Sequence, residues 1–428
     1  MSSTRKNSVD AMFPQAITAE TRPLVPPTLA RLIDDEPPIE ATLVDSPPKK
    51  RILIAAYQWF RWVIQGVFRT ISTVAVLALL AAVPGINFIA FGYLLDVSGK
   101  IARGRKLREG LPASETYGYL GLALAGIGVA WIAVQMVVHQ QSVATIVNPD
   151  SSASNLLRFA SIFLATFAMS YLGWVWVRGG RLRHYLWPAP IRFLKEGWRW
   201  STWSDSADRF WTQTASLEWP RLFWLGLRGF LGTLIWLIPA IIVMAAVRDG
   251  DTGLAGLIGG LAMLVLAIVM AHLPMLQVQF AADNRLKSLF EIRRVRASFR
   301  AAPWAWLVAM FLTLILLPLP LYLLKIEATP AEVVWLPTLF FVAFILPARI
   351  ASGLAMRRAW RQQEKSEISK WGKRWGLVSR ISVRLIMPAL ILSYLAVVYA
   401  SQYTSWDGYA TWIQQHAVML PIPFERGT

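Results

Sequence analysis

The chain has 428 residues, 55% of them hydrophobic and only 16% charged, with 43 Lys and Arg against 25 Asp and Glu and a formal net charge of +18. Apolar residues in that proportion, gathered into long runs, exceed what one soluble core uses and point to a polytopic α-helical membrane protein. The absence of Cys excludes disulfides, thiolate nucleophiles and Cys-held metals, and the basic residues fall between apolar runs, which argues against nucleic acid as a partner.

The first fifty residues lack the apolar stretch of a cleavable signal peptide. Residues 1–51 carry Pro14, Pro23, Pro26, Pro27, Pro37, Pro38, Pro47 and Pro48 with an acidic cluster at Asp34, Asp35 and Glu36. That composition predicts a disordered, Pro-rich cytoplasmic leader, either a solvated tether or a polyproline ligand. Residues 52–400 form the expected membrane domain. Its first element, Ile52 to Phe68, places Gln58, Arg61 and Gln65 on one side, with Arg69 just beyond, and so predicts an interfacial helix anchored by Trp59 and Trp62.

Thr70 to Leu111 governs the layout of the rest. Ile71 to Leu95 is long enough to span a hydrocarbon core of roughly 30 Å, yet Pro84, Gly85 and Asn87 interrupt its centre. Either it is one kinked crossing or a re-entrant hairpin of two short helices. Arg61 and Arg69 before it, and Lys100, Arg103, Arg105, Lys106 and Arg108 after it, favour a hairpin with both ends in the cytoplasm.

Tyr117 to Val138 then reads as a crossing with Gly118, Gly121, Gly126 and Gly128 for close helix contact. His139 to Asn155, without Lys or Arg, is expected outside. Leu156 to Val177 returns to Arg178, Arg181 and Arg183. The following segment, with Trp187, Trp198, Trp200, Trp203, Trp211 and Trp219, suits a membrane surface. Leu222 to Val247 and Gly253 to Leu276 are the next pair, with Arg228 able to snorkel. Gly253, Gly256, Gly259 and Gly260 make a small-residue stripe suited to packing within the chain or between chains.

Asp283 to Arg300 is basic and amphipathic, with Leu286, Leu289, Phe290, Val295 and Phe299 on one side and Arg293, Arg294, Arg296 and Arg300 on the other. Together with Arg103, Arg105 and Lys106, Arg293, Arg294 and Arg296 are the expected contacts to anionic inner-leaflet lipid. Trp304 to Leu324, bent by Pro318 and Pro320, and Val333 to Ala355 cross next. The basic loop Arg357 to Arg384 carries Trp360, Trp371 and Trp375 as interfacial anchors. Leu385 to Ala400 crosses last, leaving 401–428 as a short extracytoplasmic tail. The outer loops and tail then hold only Arg248, Lys325 and Arg426. The expected fold class is all-α: a polytopic integral membrane helical bundle of about seven crossings plus one broken or re-entrant hairpin, with interfacial amphipathic helices.

Catalytic patterns are missing. His139, His184, His272 and His416 are scattered without a metalloprotease HExxH, Gly92 to Lys100 fails the phosphate-loop spacing, and no GxSxG elbow occurs. No metal, cofactor or catalytic residue is nominated. No Asp or Glu lies inside a predicted crossing, and Asp96 borders the hairpin. The candidates for a pathway are Pro84, Gly85, Asn87 and His272, with Gln135, Gln277 and Gln279 as further polar groups. His272 either titrates within its crossing or is a neutral imidazole bonded to a carbonyl freed by Pro274.

Two runs carry a family resemblance. VPGINFIAFGYLLDVSGKIARGRKLREGLP, and the later QFAADNRLKSLFEIRRVRASFRAAPWAWLVAMFL, resemble elements of an uncharacterised family of bacterial and archaeal polytopic membrane proteins, a domain of unknown function. The resemblance implies an architecture and no catalytic residues; Asp96 departs from it, a basic residue being usual there. The leading expectation is a non-enzymatic scaffold or assembly factor of the bacterial cytoplasmic (inner) membrane, its N-terminus cytoplasmic and its C-terminus extracytoplasmic. Its partners would be the lipid bilayer and a protein partner or second copy of the chain. The alternative is a permease for a small solute, and a third class is a lipid-modifying enzyme built on Asp96, Arg103 and His184.

Overall fold

A computed structural model describes residues 48–111, 114–149, 151–187, 189–239, 242, 253–316, 335–364 and 370–400. The leader to residue 47 and the tail 401–428 lie outside the described residues. The chain divides into two compact units, Met1–Trp62 and Val63–Thr428. Among the described residues all regular structure is helical.

Helix α1, Pro48–Ala82, runs for 35 residues through the predicted interfacial helix and into the predicted span. No interruption falls near Phe68 because neither Gly nor Pro occurs between Arg69 and Val83; Thr70 and Thr73 instead bond the carbonyls of Gly66 and Arg69, one turn back. The predicted interfacial helix is therefore not a separate element. The helix stops at Val83 to Ile86, where Pro84 removes a donor and Gly85 takes φ +82°. Helix α2, Asn87–Ala102, follows at about 24 Å in length.

Helices α3, Ser114–Val147, and α4, Ser152–Val177, pair with each other as a long hairpin. Most of the loop expected over His139 to Asn155 is helical. Only at Asn148 and Pro149 does α3 end, and Ser151 caps α4 by accepting from the Ser154 N–H. Short helices α5, Leu182–Leu186, and α6, Pro190–Glu196, lead to α7, Trp200–Ser216. Trp198 and Trp200 there are 83% and 84% exposed, as an interfacial segment requires.

Helix α8, Trp219–Trp236, covers the first part of the crossing predicted from Leu222, most of whose remainder lies outside the described residues. Helix α9, Gly253–Asp283, keeps Pro274 inside it. The surroundings of Gly256, Gly259 and Gly260 lie outside the described residues. A 3-10 turn at Leu286–Phe290 precedes α10, Ile292–Ala301; of the predicted apolar side, Leu289 and Val295 are buried and Phe299 is half-buried, while Leu286 and Phe290 are exposed. A bend of 108° then separates α10 from the apolar run that begins with α11, Pro303–Phe311. Pro318 and Pro320 lie outside the described residues. Helix α12, Trp335–Glu364, and α13, Lys370–Ala400, extend deep into the loop predicted between them.

Among the described residues six helices are long and apolar enough to cross a membrane, seven if the bent pair forms one span. They are not the same set as the predicted crossings: Ile54–Ala82 joins the list, and the last window is Trp375–Tyr394 rather than Leu385 to Ala400.

The core of the larger unit is organised around α2, which packs on α8, α9 and α12. Almost every face of this short helix is covered: Phe91, Tyr93, Leu94, Leu95 and Val97 are fully buried. Glycine permits the close approach. A Cβ on Gly92 would lie 1.8 Å from the Leu222 carbonyl oxygen, and one on Gly226 2.0 Å from the Phe88 carbonyl oxygen, so α2 and α8 meet backbone to backbone. Gly99 stands in the same relation to Ala281 of α9, and Gly353 of α12 to Ser98.

Candidate functional site

Polar groups buried in this core form two arrangements that differ in charge balance. The first is neutral. Asp96, 2% exposed, receives Nη1 and Nη2 of Arg221 at 3.1 and 3.2 Å and Nζ of Lys100 at 2.7 Å. Arg221 also pairs with Glu218 at 2.6 Å, so two cations and two carboxylates balance. The placement corrects the reading of Asp96 as a border residue: it lies on the covered α2 helix, on the same side as Gly92 and Gly99, where desolvation demands partners.

The second arrangement carries an unbalanced charge. Arg349 lies midway along α12 and is 2% exposed. Its Nη1 donates to Gln277 Oε1 at 2.7 Å, Gln277 Nε2 donates to Thr233 Oγ1 at 2.9 Å, and Thr233 donates to the Gly229 carbonyl at 2.7 Å. This chain ties α12, α9 and α8 together. On one side the guanidinium lies 5.6 Å from the Phe91 ring centroid. Among the described residues its Nε and Nη2 have no hydrogen-bond partner. The sequence signal is a single Arg in the interior of the predicted crossing Val333 to Ala355.

The residues singled out from sequence are not brought together. Pro84 and Gly85 are exposed in the chain break, and a Cβ on Gly85 would meet nothing within 4 Å. Asn87 is buried at the start of α2, its Oδ1 without a partner. His272 is half-buried and its Nδ1 donates to the Ile268 carbonyl at 2.8 Å. The acceptor is Ile268, one turn back, and not Met270, whose carbonyl Pro274 frees.

The basic groups expected on lipid are exposed, with two engaged in the fold. Arg103 donates to the Ala282 carbonyl at 2.5 Å and closes the end of α9. Arg294 pairs with Asp283 at 2.5 Å and lies 5.7 Å from the Trp360 ring. Arg105, Lys106, Arg293 and Arg296 remain exposed. Arg228 reaches Asn284 Oδ1 at 2.6 Å and lies over Phe280 and Trp224.

In α5, His184 is buried with Nδ1 unpartnered, and Arg183 Nε lies 3.2 Å from its Nε2. Burial, followed by the positive charges of Arg178, Arg183, Arg181 and Arg192, lowers its pKa below the usual 6.5. Asp96, Arg103 and His184 therefore keep separate partners. Among the described residues no group of three His or acidic side chains could hold a metal.

Among the described residues, helices long and apolar enough to cross a membrane surround a buried short helix in an all-α bundle. Residues 202–326 match the model of a family described as a protein of unknown function (DUF4013), consistent with an uncharacterised family. The match includes the later of the two resembling runs, Gln279 to Leu312, and excludes the earlier one. No curated protein and no solved structure matches the chain.

Proposed function

We propose that the chain is an integral protein of a bacterial cytoplasmic membrane that acts without catalysis, as a scaffold or assembly factor. The observation that carries this reading is the α3–α4 hairpin. The two helices pack on each other, yet only 6% and 22% of their most apolar windows are buried. Val129, Phe163 and Met169 stand more than two-thirds exposed. An apolar surface of that extent is covered either by acyl chains or by a partner's helices. The exposed Arg105, Lys106, Arg293 and Arg296 suit anionic lipid headgroups on the cytoplasmic side.

Photo-crosslinking residues introduced at Val129 and Phe163 test the reading in intact membranes. A discrete protein adduct at both positions is the expected result, and adducts to lipid alone would remove the basis for a scaffold.

A permease for a small solute is the second reading. It is favoured by Asn87, whose buried, unpartnered Oδ1 lies directly after a break in the backbone. Heat stabilisation by one solute, lost in Asn87→Ala, would be its signature.

A further inference from the structure

We infer that α5 and α6, where the α3–α4 hairpin ends, form a headgroup site for anionic phospholipid. The guanidiniums of Arg181, Arg183 and Arg192 meet the phosphate, and Leu186, Ile191 and Leu194 rest on the acyl chains. The inference rests on the proposed membrane setting and holds for a scaffold and a permease alike.

Charge comes first. From Arg178 to Arg199 the chain carries six cations, Arg178, Arg181, Arg183, Arg192, Lys195 and Arg199, and a single carboxylate, Glu196, which pairs with Arg192 at 2.7 Å. Including α7, with Asp205, Asp208 and Arg209, still leaves four cations in excess. These charges are gathered rather than spread. Arg178 Nη1 donates to the Trp187 carbonyl at 2.6 Å, which holds its guanidinium against the end of α5, and Arg183 reaches His184 within the same helix. Arg178, Arg181, Arg183 and Arg192 all lie near enough to His184 for their charges to lower its pKa. Like charges held together in this way are relieved by an anion, and guanidiniums suit phosphate oxygens.

The second feature is what stands between the cations. Arg181, Arg183 and Arg192 are exposed, Arg192 over 59% of its side chain, so a headgroup reaches them without displacing packed atoms. Leu186, Trp187, Ile191, Leu194 and Trp198 are each about two-thirds exposed or more. A free phosphate or a nucleic acid would satisfy the arginines and leave these side chains in water. A phospholipid offers the anion and the hydrocarbon in one molecule.

The third feature is how little of this segment the bundle covers. Helices α5 and α6 have five and seven residues, and helices so short are unstable by themselves in water. Helix α6 buries no residue, and its Phe193 meets Trp174 of α4 edge-on at 5.2 Å. A lipid surface over both helices supplies the apolar contact that the bundle does not.

The test uses the full chain with a single nitroxide attached at Ile191→Cys, in nanodiscs of phosphatidylcholine with a rising share of phosphatidylglycerol. Collisions with oxygen, which enters hydrocarbon, and with a water-soluble nickel chelate locate the label. As phosphatidylglycerol increases, oxygen access is expected to rise and nickel access to fall. Arg183→Gln and Arg192→Gln should each weaken that dependence about fivefold, and Arg361→Gln, which removes an exposed cation of α12, should leave it unchanged. An equal loss in Arg361→Gln would reduce the effect to general surface charge and overturn the site. So would a label open to nickel, or shielded from it to the same degree, at every composition. Shielding from both reagents would mean that protein covers α6, and the same change on adding inorganic phosphate to phosphatidylcholine nanodiscs would mean a site for free phosphate; either result overturns the lipid assignment. Release of the chain from native membranes by alkaline carbonate would overturn the membrane setting itself, whereas retention without any phosphatidylglycerol dependence overturns the site alone.

Discussion

Asp96 and His184 show how single ionisable groups are handled here. Replacing Asp96 by Asn leaves Lys100 and Arg221 facing each other across a covered position. Breaking a fully buried pair costs about 3–5 kcal/mol, but the Arg221 side chain is 44% exposed, so the loss expected for Asp96→Asn is about 2–3 kcal/mol. Denaturation of the purified variant beside the parent measures it; equal stability would mean that the pairing contributes nothing. His184 makes a pH prediction. Its pKa in the folded chain lies below 6.5, so the unfolded chain binds the extra proton first as pH falls. Stability contributed by the neutral ring is fully present above about pH 6.5 and declines from there down to the folded pKa. The melting temperature should therefore fall between about pH 7 and 5 less steeply in His184→Gln than in the parent. Parallel profiles would mean that His184 titrates alike in both states.

At the scale of elements, α2 decides the architecture and its glycines decide α2. Gly92→Ala would drive a methyl group to 1.8 Å from a backbone oxygen of α8, and no side-chain rotation relieves that. A loss of about 3 kcal/mol or more is expected, whereas Gly128→Ala, with nothing within 4 Å, should be neutral or slightly stabilising. Comparing the folded yields of the two variants in one host is sufficient, and similar yields would show that α2 and α8 can separate freely. Part of this architecture was legible in the chain itself. Pro84 and Gly85 break the backbone where their chemistry requires, and of the apolar stripe Leu289 and Val295 are buried while Leu286 and Phe290 are exposed. Other features were hidden for physical reasons. Asp96 looked peripheral because its partner Arg221 is 125 residues away, and pairing at that distance leaves no local pattern. The merger of the interfacial helix into α1 was missed because a change in polarity was read as a boundary, when helices end at caps, Gly or Pro. Arg349 was passed over although a lone charge in mid-crossing is itself a signal.

For the whole molecule the open quantity is threading. The proposed orientation puts residues 100–108 on the cytoplasmic side and the α3–α4 turn opposite, following the distribution of Lys and Arg. Because the chain has no Cys, single introduced thiols report this directly. Ser98 is unsuitable since it is fully buried, but Lys106 and Val147 are exposed. With a membrane-impermeant reagent, Lys106→Cys should react only after permeabilisation and Val147→Cys in intact cells. The reverse pattern would invert the proposed orientation and remove the argument that the exposed Arg293 and Arg296 meet the inner leaflet.

The glycine-clamped seat of α2 also sets a timetable. The three helices it packs on are encoded after it: Arg221 follows Asp96 by 125 residues, and Thr338, which bonds the Ala78 carbonyl just ahead of the break, follows that residue by 260. At synthesis rates of roughly 5–20 residues per second, Asp96 leaves the ribosome about 6–25 s before its arginine, and the Ala78 region waits about 13–50 s for α12. During that interval a short helix bearing a carboxylate has neither its neighbours nor the length to be held by lipid alone. In the proposed membrane setting, closure of three helices around an early one comes late in synthesis.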